Sequence, residues 1–281
     1  YIVGLSLIVY RLYLAQLNRV RLQEQLLYKN KEAERLAELD GIKTNFFANI
    51  SHEFRTPLTL ILWPMEQIIQ EYEADSRFPV IQRNASRLLT LINQLLDISK
   101  LEAGQMKPEI TSTELVRYFR TLTGSFVSLA ESRRVHLDVS QNQNEVHGFV
   151  DEDKVEKIVT NLLSNALKFT EAGGKVTVDI QYIPLIGRRE VIITVSDTGI
   201  GIKPAQLDKI FNRFYQVEAD RKRGYEGTGI GLALVKELVD VLKGTIVVES
   251  TENIGTTFRV RLPIDETTWK DYLTEHPSEI Q

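Results

Sequence analysis

Cysteine is absent from all 281 residues. That excludes disulfides, thiolate metal sites and thiol nucleophiles, and it leaves the redox compartment undefined. A strong charge of either sign is also absent. The 34 Lys and Arg against 38 Asp and Glu leave −4, too mild for wholesale nucleic-acid binding, so no nucleic-acid partner is expected. Proline and glycine number only 8 and 16, too few for a collagen-like or low-complexity chain. What is present is 43% apolar and 26% charged residues, the balance of an ordinary globular protein. At ~100–200 residues per domain, two units are expected. The chain opens on Tyr1 rather than Met, as a fragment or processed product would.

Three chemical signatures are missing as well. There is no G-x-x-x-x-G-K-[ST] run and no G-x-G-x-x-G spacing, so neither a P-loop nor the usual dinucleotide fingerprint is available. The pair His52-Glu53 suggests the zinc-protease helix H-E-x-x-H, but the fifth position is Thr56 and the second ligand is lacking.

Residues 1–10, YIVGLSLIVY, carry no charge and fall short of the ~20 apolar residues that span a bilayer. Arg11, Arg19, Arg21, Lys29, Lys31 and Arg35 follow, against Glu24, Glu32 and Glu34. Such a basic flank belongs on the cytoplasmic side of a membrane helix, so residues 1–15 read as the end of one. A buried core helix or an oligomer contact is the alternative. A signal peptide fits poorly, because no basic region precedes the run and no small-residue cleavage site follows it.

From about Leu17 to Glu71 a very long helix is expected, with 16–43 as a signalling coiled-coil segment. Leu36, Leu39, Ile42, Phe46, Ile50 and Phe54 step by three and four residues along one face. After a connection at 72–77, a second helix runs from about Phe78 to Ala103. Its buried set is Ile81, Leu88, Leu89, Ile92, Leu95, Leu96 and Leu101, and Gly104 is placed to stop it. Two antiparallel helices enclose no core, whereas two copies of the hairpin do. A dimeric four-helix bundle over 44–106 is therefore expected, with a homodimer as its consequence.

The pattern changes after Met106. A helix around 112–132, a strand at 135–139, a helix at 151–170, strands at 175–180 and 190–196, a helix ending near Leu242 and strands at 245–249 and 257–262 describe an α+β layer fold over 107–264. The polar tail 265–281 reads as a linker.

His52 lies mid-helix beside a carboxylate. A neutral imidazole is a competent nucleophile near pH 7, and Glu53 can accept the proton of the other ring nitrogen. An isolated surface histidine would do neither. Asn161 and Asn165 share one helix face, and their amide oxygens are neutral hard ligands suited to magnesium. Lys168 lies near the next turn, where it can meet a phosphate. Asp197 follows a buried strand and precedes Gly199 and Gly201, which allow close backbone approach; taken alone, D-T-G is equally a simple turn. Gly227, Gly229 and Gly231 open a helix whose N–H groups can cradle phosphates. The basic run Arg221-Lys222-Arg223 fits a mobile lid over 203–227 or a solvated patch.

Taken together, these stretches resemble sensor histidine kinases of two-component systems. Ser51-His52-Glu53-Phe54-Arg55-Thr56-Pro57-Leu58 is similar to the family's phospho-acceptor box. Asn161 to Thr170 resembles its asparagine box, Asp197 to Ile202 its first glycine box, and Gly227-Thr228-Gly229-Ile230-Gly231-Leu232 its second. Ile210 to Tyr215 resembles the phenylalanine box, and Gly255-Thr256-Thr257-Phe258 the last glycine motif. The wording of 44–62 is also similar to membrane-spanning hybrid sensors of Bacteroides-type bacteria.

The resemblance implies a helical hairpin forming a dimeric bundle, joined to an α/β sandwich ATP-binding domain of the GHKL type. It implies ATP and Mg²⁺ as cofactors, Asn165 as the principal metal ligand with Asn161 beside it, and Asp197 on the adenine amino group. Lys168, Gly199, Gly201, Gly227, Thr228, Gly229, Gly231, Leu232 and Thr256 complete the nucleotide set. The basic residue that many relatives carry after the phenylalanine-box aromatic is Gln216 here, which leaves Arg213 as the candidate for the triphosphate. His52 would accept the γ-phosphoryl group and pass it to the aspartate of a response-regulator receiver domain, fused or separate. Thr56 would orient water in the reverse, phosphatase reaction. The location implied is the bacterial inner membrane, with this region cytoplasmic. A catalytically silent dimeric scaffold and a gyrase-type ATPase are the two competing expectations.

Overall fold

Alternating and 3.6-period apolar patterns lead to distinct elements in the computed structural model, which describes residues 58, 59, 61, 77–185, 187–216 and 229–275, with nine positions between 16 and 32. The chain divides into two compact units, Tyr1–Ala85 and Ser86–Gln281. In the first, the nine positions are helical, as are Leu58, Thr59 and Ile61, and Leu58 is buried. The seam from Leu36 to Phe54 and the apolar run 1–10 lie outside the described residues. Among the described residues, no helix is long and apolar enough to cross a membrane.

Helix α1, Arg77–Glu102, ends as its sequence dictates. Gly104 adopts φ +63°, Gln105 N–H donates to the Lys100 carbonyl and Gly104 N–H to that of Leu101. This is a Schellman stop built on a glycine. Ile92 and Leu96 are buried as expected, but Ile81 and Leu88 are 48% and 44% exposed. They sit one heptad apart on a stripe that the chain's own described residues do not cover.

The second unit is built on a five-stranded mixed sheet. Its strands are β2 (His136–Gln141), β4 (Lys175–Leu185), β5 (Arg188–Asp197), β6 (Thr245–Thr251) and β7 (Gly255–Pro263), in the order β2-β4-β5-β7-β6. Among the described strands, only β2 and β4 pair in parallel. Val176, Val178, Ile180 and Tyr182 of β4 alternate inward, as do Phe258, Val260 and Leu262 of β7. Helices α4 (Glu152–Phe169) and α6 (Gly231–Val241) cover that face and pack against each other. Leu162, Leu163 and Leu167 of α4 and Leu234 and Leu238 of α6 are fully buried there. Each such leucine is worth ~2–5 kcal/mol against truncation to alanine. The expected α/β sandwich is thus observed.

The expected helix at 112–132 is replaced by three elements. Strand β1, Thr111–Glu114, pairs antiparallel with β3, His147–Val150, because three β-branched or hydroxyl residues favour extension. Glu114 then caps α2, Leu115–Gly124, by accepting from the N–H groups of Val116 and Arg117. After a break at Ser125-Phe126, α3 covers Val127–Arg133. A short helix α5, Pro204–Leu207, opens the polar stretch after β5.

The polar tail is not a linker throughout. Helix α7, Glu266–Glu275, follows Asp265, which accepts from Thr268 N–H and the hydroxyls of Thr267 and Thr268. Trp269 and Leu273, four residues apart, bury one stripe at 2% and 5% exposure. A segment rich in charge still docks when two large apolar side chains share a face.

Candidate functional site

The candidate site forms where the C-terminal ends of α4 and β5 meet the hairpin between β6 and β7. Asp197 is the last residue of β5, and its Oδ1 accepts from Gly199 N–H at 2.9 Å and Thr256 N–H at 3.3 Å. Burial raises its carboxyl pKa above the ordinary aspartate range, and these two N–H groups only partly oppose that. Oδ2 has no partner among the described residues. The carboxylate is therefore held by one oxygen and presents the other.

Glycine is required around it. A Cβ on Gly199 would collide with the Phe169 carbonyl at the end of α4, and one on Gly201, at φ +64°, with the Thr251 carbonyl. The loop is clamped on both sides by hydrogen bonds. Ile200 N–H donates to the Phe169 carbonyl at 3.3 Å, and Asn253 N–H to the Ile200 carbonyl at 2.7 Å. Thr198 links the loop to β4, exchanging backbone and side-chain bonds with Lys175.

Helix α4 is set by Asp151, whose carboxylate caps Lys154 N–H, accepts from Glu109 N–H and pairs with the Lys154 ammonium. That start fixes which residues face the site. Asn161, Asn165 and Lys168 follow at intervals of four and three, all half-buried. Asn161 Nδ2 donates to the Lys157 carbonyl at 2.7 Å, leaving its Oδ1 toward Gly231. A Cβ at Gly231 would lie 2.6 Å from that oxygen, so the glycine keeps the amide open. Asn165 has no side-chain partner among the described residues. Two amide oxygens on one face, neither with a partner among the described residues, fit a cation that also draws oxygens from phosphates. Among the described residues no cluster of three His, Asp or Glu offers a conventional metal site. Lys168 lays its ammonium 4.5 Å from the centre of the Phe169 ring.

The second glycine stretch is described from Gly229 onward; Gly227 and Thr228 lie outside the described residues, as does the Arg221-Lys222-Arg223 run. Gly229 has φ +69°, and a Cβ there would press on the backbone of Phe214, whose N–H donates to the Gly229 carbonyl at 2.9 Å. Helix α6 starts at Gly231 with no side-chain cap from Ile230, and Leu232 packs against the core. Arg213 places Nη2 3.5 Å from Glu237 Oε1 on α6, so its guanidinium lies beside that helix. Thr256 is buried in β7 and shares a 2.9 Å hydroxyl contact with Ser250.

The structure thus brings Asn161 against Gly231, and the Asp197 loop against α4 and the β6–β7 hairpin that carries Thr256. His52, Glu53 and Thr56 lie outside the described residues. Ser250 is absent from the sequence reading; its signal was one hydroxyl on the inward phase of an edge strand, which alone says nothing.

Two family models match the chain. Residues 150–266 match the histidine kinase-, DNA gyrase B- and HSP90-like ATPase family. Residues 42–104 match the His kinase A phospho-acceptor domain. Sensor histidine kinase TmoS of Ectopseudomonas mendocina is 38% identical over 260 residues, which is 88% of this chain and 26% of that protein. Hybrid signal transduction histidine kinase D of Dictyostelium discoideum is 37% identical over 258 residues, 88% of this chain and 17% of that protein. The chain therefore spans about a quarter or less of those relatives' length. Among solved structures, full-length ShkA in complex with AMPPNP aligns at TM-score 0.64 and 25% identity, over 78% of this chain and 45% of that one. The Acinetobacter baumannii histidine kinase AdeS, at TM-score 0.53 and 22% identity over 76% of this chain and 98% of that one, shares the fold.

Proposed function

We propose, from the premise that this chain belongs to the histidine kinase family, that it moves the γ-phosphoryl group of ATP onto His52 and from there to a receiver aspartate. The observation that carries the reading is the half-satisfied Asp197 carboxylate, fixed by Gly199 and Thr256 in the same domain as the open amides of Asn161 and Asn165. A carboxylate with one oxygen presented suits the amino group of adenine. Lys168 and the start of α6 supply positive potential for phosphates, and Arg213 is the candidate for the triphosphate. Mg²⁺ held by Asn165, with Asn161 beside it, would neutralise charge on those phosphates.

In the first step an imidazole nitrogen of His52 attacks the γ-phosphorus. A nitrogen–phosphorus bond forms, the bond to the β–γ bridging oxygen breaks, and ADP leaves. Glu53 accepts the proton from the other ring nitrogen and stabilises the cation. Such a transfer asks mainly for positioning and charge stabilisation. In the second step the receiver's carboxylate takes the phosphoryl group and His52 returns to the neutral form. Thr56 orients water when the receiver is dephosphorylated.

The active species is a homodimer, and the uncovered Ile81 and Leu88 stripe on α1 supports that reading. The basic flank after residues 1–10 supports anchoring in the bacterial inner membrane with this region on the cytoplasmic side.

The test is incubation with γ-labelled ATP and Mg²⁺ beside His52→Ala and Asn165→Ala. Acid-labile, base-stable label that disappears in both variants is the expected result. Hydrolysis without labelled protein would point instead to a gyrase-type ATPase. An unlabelled dimer that binds no nucleotide would point to a silent scaffold.

A further inference from the structure

We infer that Ser250 is a positioning residue for base recognition: it fixes Thr256, and through Thr256 the Asp197 carboxylate. The inference rests on the reading of Asp197 as the acceptor for the adenine amino group. Ser250, Thr256 and Asp197 occupy one row across three strands, with Ser250 opposite Thr256 in the β6–β7 register and Thr256 opposite Asp197 in the β5–β7 register. Residues directly opposite across neighbouring strands project to the same face, so the three side chains share one side of the sheet.

The hydrogen bonds determine the direction of control. A serine hydroxyl has one proton and two acceptor lone pairs. Ser250 Oγ donates to the Gly255 carbonyl at 2.9 Å and accepts from Ile202 N–H at 2.8 Å. Its proton is therefore committed, and in the 2.9 Å contact with Thr256 Oγ1 it is the threonine that donates. Every position on the Ser250 oxygen is used. One bond holds the end of the Asp197 loop at Ile202. Another holds the turn at Gly255, where a Cβ would collide with the Asp197 carbonyl. The third orients Thr256, whose own N–H donates to Asp197 Oδ1.

The fixed geometry has a chemical consequence. Thr256 is buried, and with its hydroxyl proton directed to Ser250 it offers no competing donor to the carboxylate. Remove the Ser250 oxygen and that proton seeks another acceptor, the nearest charged one in the row being Asp197. A carboxylate that accepts from Thr256 Oγ1 has less to offer an incoming amino group. Ser250 thus acts on adenine discrimination without touching the base.

The experiment compares binding of ATP with that of inosine triphosphate, which carries a carbonyl where adenine has its amino group. It uses the full chain and four forms: wild type, Asp197→Asn, Ser250→Ala and Ser250→Thr. The wild type is expected to prefer ATP and Asp197→Asn to lose that preference. Ser250→Ala should lower the ATP-to-inosine-triphosphate ratio by roughly an order of magnitude, as expected for a hydrogen bond to a charged group, while inosine triphosphate binds as before. Ser250→Thr, which keeps the hydroxyl, should retain the preference. Ser250→Cys, whose sulfur is only a weak acceptor, frees the same threonine proton and serves if Ser250→Ala does not fold. Equal loss of both ligands, or an unchanged ratio in Ser250→Ala or its Ser250→Cys substitute, overturns the positioning role while leaving Asp197 in place. If wild type and Asp197→Asn show the same ratio, the reading of Asp197 itself fails and the role of Ser250 is overturned with it.

Discussion

Lys157 sets its ammonium 3.0 Å from the Asp97 carboxylate, joining the helix of the asparagine pair to the last turns of α1. Asp153, one turn back on α4, takes the same ammonium at 3.0 Å. Burial of Lys157 would lower its pKa, but the two carboxylates outweigh that and leave it raised. A raised lysine pKa contributes stability that is complete below the ordinary lysine range and is lost as pH climbs through the raised value. Asp97→Asn should therefore lower stability by about 1 kcal/mol at neutral pH, with a smaller difference in strongly alkaline buffer. Thermal unfolding across that pH range measures it; a difference that persists at high pH would remove the ion pair as the cause.

Asp197 titrates the other way. Its raised carboxyl pKa means that protonation sets in at a higher pH than for an ordinary aspartate. Protonation replaces an acceptor by a donor facing an amino group, so ATP affinity should fall on mild acidification before other acceptors are affected. The same group contributes stability at low pH and loses it as pH rises through its raised value, so its own protonation does not unfold the protein. Calorimetric titration of ATP against pH should show that step in wild type and lack it in Asp197→Asn.

Gly231 and Gly199 make opposite predictions. At Gly231 the added methyl meets only the end of the Asn161 amide, which can rotate. Gly231→Ala should fold with stability within ~1 kcal/mol of wild type and lose Mg²⁺-dependent ATP binding. At Gly199 the added methyl meets the backbone carbonyl of Phe169, which cannot move without α4. Gly199→Ala should lose ~2 kcal/mol or more, seen as a lower unfolding midpoint without nucleotide.

Trp269 tests the docked tail. Its ring is buried beneath the Lys243 ammonium, 4.7 Å from the ring centre, and its Nε1 has no partner among the described residues. Trp269→Ala should cost ~3–5 kcal/mol. Trp269→Phe forfeits no hydrogen bond and should cost much less. Chemical denaturation of both separates a docked helix from a linker, since a linker would show neither loss.

Much of this was legible in the residues themselves. Asp197, Asn161 and the glycines stand in short patterns whose spacing is local, so one element carries the whole signal. The end of α1 was legible at Gly104 for the same reason. What escaped was non-local. Strand β1 exists because Thr111–Glu114 meets His147–Val150 more than thirty residues on, and no window on either segment contains that pairing. Ser250 matters because β7 brings Thr256 beside it, and the α7 stripe is only two residues in a polar background. Ile81 and Leu88 fall in the expected buried set because periodicity reports a face without reporting what covers it.

The parallel pairing of β2 with β4 gives the site a history in time. Parallel neighbours cannot be joined by a tight turn, and the chain between them includes α4 with Asn161 and Asn165. The helix that would hold the metal is therefore the crossover itself, seated only once two distant strands have found each other. Such long-range closure is slow relative to local structure. Changes in the edge strand His136–Gln141, remote from any ligand atom, should delay the arrival of nucleotide affinity during refolding while leaving its final value intact.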